Sequence, residues 1–73
     1  VVWHLDHVRP LISFDFNDER QIYVANNWRN LQPLFVKDNL EKSDRYSHND
    51  EASWIQRMHK YQFEGDLFLK FSN

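Results

Sequence analysis

The 73-residue sequence contains no cysteine. That excludes disulfide staples and the cysteine pairs that knit many small metal domains together. It also fits a reducing, intracellular compartment. No apolar run approaches the roughly 20 residues that a membrane span needs, and no signal-peptide pattern is present, so no membrane partner is expected. A surplus of positive charge is missing too: 9 Lys+Arg stand against 11 Asp+Glu, for a formal charge of −2. Phosphate contacts normally demand a basic surface, and this balance argues mildly against a nucleic-acid binder. Internal repeats and low-complexity segments are absent. The chain opens on Val1-Val2-Trp3 rather than on Met, within what reads as a strand, and it is therefore expected to be a piece of a longer protein. Its length allows one domain, spanning 1–73, of modest stability.

Against these absences stand many aromatics: three Trp, three Tyr and six Phe. In so small a domain most belong to the core. The charges are unevenly spread. Asp15, Asp18, Glu19, Asp50 and Glu51 carry much of the acid, whereas Arg29, Lys37, Lys42 and Arg45 cluster in the middle of the chain.

The pattern predicts an α+β domain. Val1–Val8 reads as a strand ended by Pro10. Residues 11–17 form a connection, and Asp15 or Asn17 caps a helix over about 18–27, where Asp18 and Glu19 suit the positive N-terminal end. Leu31–Phe35 is a short strand, and Pro33 within it points to an edge or irregular position. A second helix is predicted over about 36–45, supported by the opposite charges Lys37–Glu41, Asp38–Lys42 and Glu41–Arg45 four apart. Residues 46–50 read as a polar break. A third helix is predicted over 53–61, with Trp54, Ile55, Met58 and Tyr61 on one stripe, broken by Gly65. Leu67, Leu69 and Phe71 alternate like a short final strand.

Four residues recur in a telling order: Asp6-His7, then Asn30 in Trp28-Arg29-Asn30-Leu31-Gln32-Pro33-Leu34, then Asn39 in Lys37-Asp38-Asn39-Leu40-Glu41-Lys42. This resembles the HNH nucleases of the ββα-metal (His-Me finger) fold, in the variant whose last metal ligand is Asn. The similarity covers about residues 3–45 and is closest in kind to homing-type HNH proteins of phages and large DNA viruses. It implies a strand, an inserted helix, a strand and a helix, with residues 46–73 as an extension of unassigned role. It also implies a metal-dependent DNA endonuclease. Asp6 and Asn39 would be hard oxygen ligands suited to one Mg²⁺ or Mn²⁺ ion. His7 would be the general base, since an unperturbed imidazole titrates near pH ~6.5. Asn30 would fix the loop and the orientation of His7. Lys42, on the Asn39 helix face, would reach a phosphate, with Arg29 and Arg45 as further phosphate contacts. His4, two residues before Asp6, would be a supporting group or a third ligand. The expected partner is DNA, double-stranded, with a homodimer as one route to a double break.

Two other functions are compatible with the residues. One is a nucleic-acid-binding module with a vestigial site. The other is an interaction domain that pairs through residues 53–71. An intact Asp6, His7 and Asn39 set favours the nuclease over the first, which does not need it, and a concentration-dependent size on gel filtration would support the second.

Overall fold

The computed structural model describes residues 3–35 and 45–71. The helix expected over 36–45, with Asn39 and Lys42, lies outside the described residues. Strands β1 (Trp3–His7) and β2 (Leu31–Phe35) pair antiparallel, Trp3 opposite Phe35 and His7 opposite Leu31. Pro33 lacks an N–H and is tolerated because a two-stranded ribbon has open edges. Side chains alternate along a strand. Trp3, Leu5 and His7 therefore share one face with Leu31, Pro33 and Phe35, and His4 and Asp6 share the other with Gln32 and Leu34.

Between the strands the chain makes a short 3-10 turn (Leu11–Ser13), helix α1 (Glu19–Ala25) and a second 3-10 turn (Trp28–Asn30). The α1 cap is Asp18 rather than Asp15 or Asn17: its carboxylate accepts the Arg20 N–H at 3.0 Å, while the Asp15 carboxylate takes the Asn17 N–H in the preceding turn. Asp18 also pairs with the Arg20 guanidinium at 2.9 Å, which holds its carboxyl below the usual range. α1 buries Val24 and Ala25.

Helix α2 (His48–Lys60) begins at His48 rather than Ser53. The segment expected as a polar break is a capping box. The Ser47 hydroxyl accepts the Asp50 N–H, and the Asp50 carboxylate accepts the Ser47 N–H at 2.9 Å. At the other end the helix stops before Gly65. Gln62 takes a left-handed conformation with φ 59°, and the N–H groups of Gln62 and Phe63 close onto the carbonyls of His59 and Met58. This is a Schellman ending made without glycine.

The core is small: Phe14, Val24, Ala25, Trp54 and Met58 are buried, with Val8, Ile55, Phe63 and Leu67–Leu69 packed around them. Of the expected α2 stripe, Trp54 and Met58 are buried, while Ile55 and Tyr61 are half-buried. Three polar residues share this interior: Arg9, Asn30 and Glu51. The Arg9 guanidinium lies 4.0 Å from the Phe14 ring centroid and 4.8 Å from that of Trp54, and it donates to Ser13 Oγ, Ser13 O, Leu67 O and Phe68 O. Burial lowers its pKa, with Tyr46 and Glu51 opposing, and a guanidinium so held stays charged.

The residue 67–71 segment is not a strand. Its backbone groups are taken by side chains instead. Arg9 accepts the role of a ladder partner for the carbonyls of Leu67 and Phe68, while the Glu51 carboxylate receives the N–H groups of Lys70 and Phe71 at 2.7 and 2.8 Å. Burial pushes the Glu51 carboxyl up, but these two N–H groups, the Tyr46 hydroxyl and Arg9 outweigh it and hold it below its ordinary value. A depressed carboxyl stabilises the fold above its unfolded-state pKa, and that contribution disappears as pH falls through the folded value. Glu51→Gln is accordingly expected to be less stable at neutral pH and to lose less stability on acidification. Urea unfolding at neutral and acidic pH measures both slopes; parallel slopes for the two chains would remove Glu51 from the acid response.

Candidate active site at the end of the sheet

Asp6 and His7 occupy the last two ladder positions of β1. Alternation sends them to opposite faces, so what they share is the end of the sheet. Asp6 is half-buried, with the Gln32 amide across the ladder 3.4 Å from its carboxylate. His7 is half-buried, and its Nε2 lies 3.2 Å from Asn26 Oδ1. With the amide oxygen accepting, Nε2 carries the hydrogen and Nδ1 is the ring's proton acceptor. Asn26 is delivered there as the C-cap of α1.

The turn after His7 is fixed by Asn30. The Val8 N–H donates to Asn30 O at 2.8 Å. The fully buried Asn30 amide then uses both of its ends. Its oxygen accepts the Arg9 N–H and the Trp54 indole N–H, both at 2.8 Å, and its nitrogen donates to Arg9 O at 3.2 Å and Ala25 O at 2.8 Å. One side chain thus joins the turn after β1, the end of α1 and the centre of α2. Asn30 itself closes the second 3-10 turn, whose N-cap Asn27 accepts the Arg29 N–H at 3.0 Å.

The other sequence candidates are dispersed. His4 is exposed on the Asp6 face, opposite Leu34. Arg29 is half-buried, and its Nε donates to Tyr61 O at 2.6 Å, so part of this guanidinium ties the second 3-10 turn to the end of α2. Arg45 is exposed and opens the second described stretch. Among the described residues, no group of three or more His, Cys, Asp or Glu side chains is gathered as a metal site, and no helix is long and apolar enough to cross a membrane.

Three residues around the site were not singled out in the sequence. Gln32 becomes visible once β1 and β2 are put in register. Asn26 carries a weak signal, an Asn at a helix end. Arg9, whose backbone Asn30 grips and whose side chain fills the core, reads in sequence as an ordinary surface cation.

The chain matches no protein-family model and no solved structure. It is similar to two uncharacterized proteins of Acanthamoeba polyphaga mimivirus. One is 44% identical over 43 residues, covering 59% of this chain and 19% of the relative. The other is 37% identical over 49 residues, covering 67% of this chain and 22% of the relative. The chain therefore spans about a fifth of the length of the curated relatives it matches, and both of those are viral.

Proposed function

We propose that this chain is an HNH-type nuclease domain that cleaves one strand of duplex DNA per site with the help of one divalent metal ion. The observation that carries the proposal is the setting of His7: the last residue of a strand, its Nε2 on Asn26, with the turn that follows held by a buried Asn30. A general base needs a defined tautomer and a fixed position, and these contacts supply both. The viral origin of the similar proteins agrees with the kind of HNH protein the sequence resembles.

The donor chemistry fits a hard cation. Asp6, beside the Gln32 amide, offers carboxylate oxygen, Asn39 an amide carbonyl, and the chain has no thiolate. Bound there, Mg²⁺ or Mn²⁺ would stabilise negative charge on the phosphate and on the departing 3′ oxygen. His7 Nδ1 takes the proton of a water molecule as the water oxygen bonds to phosphorus. Asn26 accepts the Nε2 hydrogen and favours the imidazolium that results. The bond from phosphorus to the 3′ oxygen breaks, and the departing alkoxide takes a proton from solvent water, leaving a 5′-phosphate and a 3′-hydroxyl. Lys42, three residues after Asn39 in the sequence, and Arg45 are the cations assigned to phosphate contacts.

Supercoiled plasmid incubated with the chain in Mg²⁺ or Mn²⁺, with an EDTA control, tests the proposal. Conversion to open circle that EDTA abolishes is the expected result. No conversion in either metal, together with no metal binding by calorimetry, would leave a nucleic-acid-binding module with a vestigial site in its place.

A further inference from the structure

The second 3-10 turn and the end of α2 bring five residues together beside His7. Trp28 is 60% exposed. Its ring meets Tyr61 edge-on, centroids 5.7 Å apart, and the Arg29 guanidinium lies 4.5 Å from its centroid. Arg57 lies 5.1 Å and the Lys60 ammonium 5.7 Å from the Tyr61 centroid. Arg57 also donates to Arg29 O at 2.7 Å and Leu31 O at 3.1 Å. Leu31 is the ladder partner of His7, and Asn26, which holds the His7 ring, is two residues before Trp28. The patch therefore adjoins the candidate base.

Its charge is unusual for this chain. Arg9 is buried, and Arg20 is paired with Asp18. Arg29, Arg57 and Lys60 form no ion pair with a carboxylate among the described residues. Cations in the last turn of a helix are favoured by its dipole, which accounts for Arg57 and Lys60 on α2. It does not account for an exposed tryptophan that meets Tyr61, at the end of the same helix, from another element. Exposed aromatic faces set among cations are what unpaired nucleotides need: bases stack, and phosphates meet positive charge.

We propose, resting on the endonuclease reading, that Trp28, Tyr61, Arg29, Arg57 and Lys60 form a surface for an unpaired stretch of the nucleic-acid strand next to His7. Trp28 stacks on a base, and the three cations attract the backbone. The substrate is then duplex DNA that is locally opened at the cleavage point.

Fluorescence anisotropy with a labelled single strand of roughly 12 nucleotides, a size within the usual range for such sites, and with the matching duplex tests this in EDTA, where no cleavage occurs. The single strand is expected to bind more tightly. Trp28→Ala should weaken it between about 5-fold and 150-fold, the range for loss of one stacked base, with little change for the duplex. Trp28→Phe should keep most of the affinity, which separates stacking from misfolding. Lys60→Ala should lower the slope of log affinity against log salt by about 0.7, as for one phosphate contact on a single strand. Unchanged single-strand affinity in a folded Trp28→Ala chain, or equal losses for both DNA forms, overturns the proposal. Plasmid nicking in Mg²⁺ is scored separately. A chain that cleaves without this preference keeps the nuclease and loses the patch, and one that binds as expected but never cleaves keeps the patch and loses the nuclease.

Discussion

Asn30→Ala is expected to cost about 3–6 kcal/mol, enough to leave much of the chain unfolded. The substitution strands the Arg9 N–H and the Trp54 indole N–H without an acceptor and removes a donor from the carbonyls of Arg9 and Ala25. Each buried donor so orphaned costs roughly 1–3 kcal/mol. A chain of this length has a total stability on the order of 4–11 kcal/mol. Asn30→Asp should also be poor, because it keeps an acceptor for Arg9 and Trp54 but turns a carboxylate oxygen toward two carbonyls. Urea unfolding followed by circular dichroism measures both. A loss below about 1 kcal/mol for Asn30→Ala, the worth of one ordinary hydrogen bond, would show that water enters and replaces the amide.

The second large effect separates chemistry from fold. His7 is half-buried at the end of β1, and truncation removes its side-chain contacts, the one with Asn26 among them. His7→Ala should cost about 1–2 kcal/mol, less than Asn30→Ala. Its nicking rate should fall by about 10²–10⁴-fold, the usual worth of a positioned base. The pair of readouts matters because Asn30→Ala would lose activity through the fold, whereas His7→Ala would lose it with the fold intact. Cleavage within tenfold of the parent chain would take the base role away from His7 and turn attention to water activated without a side chain.

The difference between these two residues explains what could be read in the sequence. β2 was legible to the residue because Leu31–Phe35 follows the turn former Asn30 and carries its own edge signal in Pro33. α1 was legible from Asp18 and Glu19 at its start. The start of α2 was hidden because Ser47, His48, Asn49 and Asp50 look like loop by composition; only the reciprocal Ser47–Asp50 hydrogen bonds make them a helix start. The final strand was wrongly expected because alternation of Leu67, Leu69 and Phe71 says nothing about whether a partner strand exists. Asp6, His7 and Asn30 stood out through their order, yet the contacts that orient them, Asn26 and Gln32, depend on which elements end beside one another. Local pattern does not carry that information. Arg9 was the least legible of all, since nothing in Val8-Arg9-Pro10 announces a guanidinium enclosed by Phe14, Trp54 and Tyr46.

That guanidinium ties together residues 58 and 59 positions apart, reaching Leu67 O and Phe68 O from the turn after β1. Two of its four acceptors, the carbonyls of Leu67 and Phe68, do not exist until that segment has been made. During synthesis from the N-terminus, the hairpin and α1 emerge while Arg9 still lacks the carbonyls that justify its burial, and Glu51 waits for the amides of Lys70 and Phe71. Native order in the interior must come late, after a long loop has closed, which slows folding relative to a bundle of local contacts. A nascent chain halted before Leu67 would hold its candidate base on an unfinished scaffold, and the same dependence would let the ribosome finish the domain before any nuclease in it becomes competent.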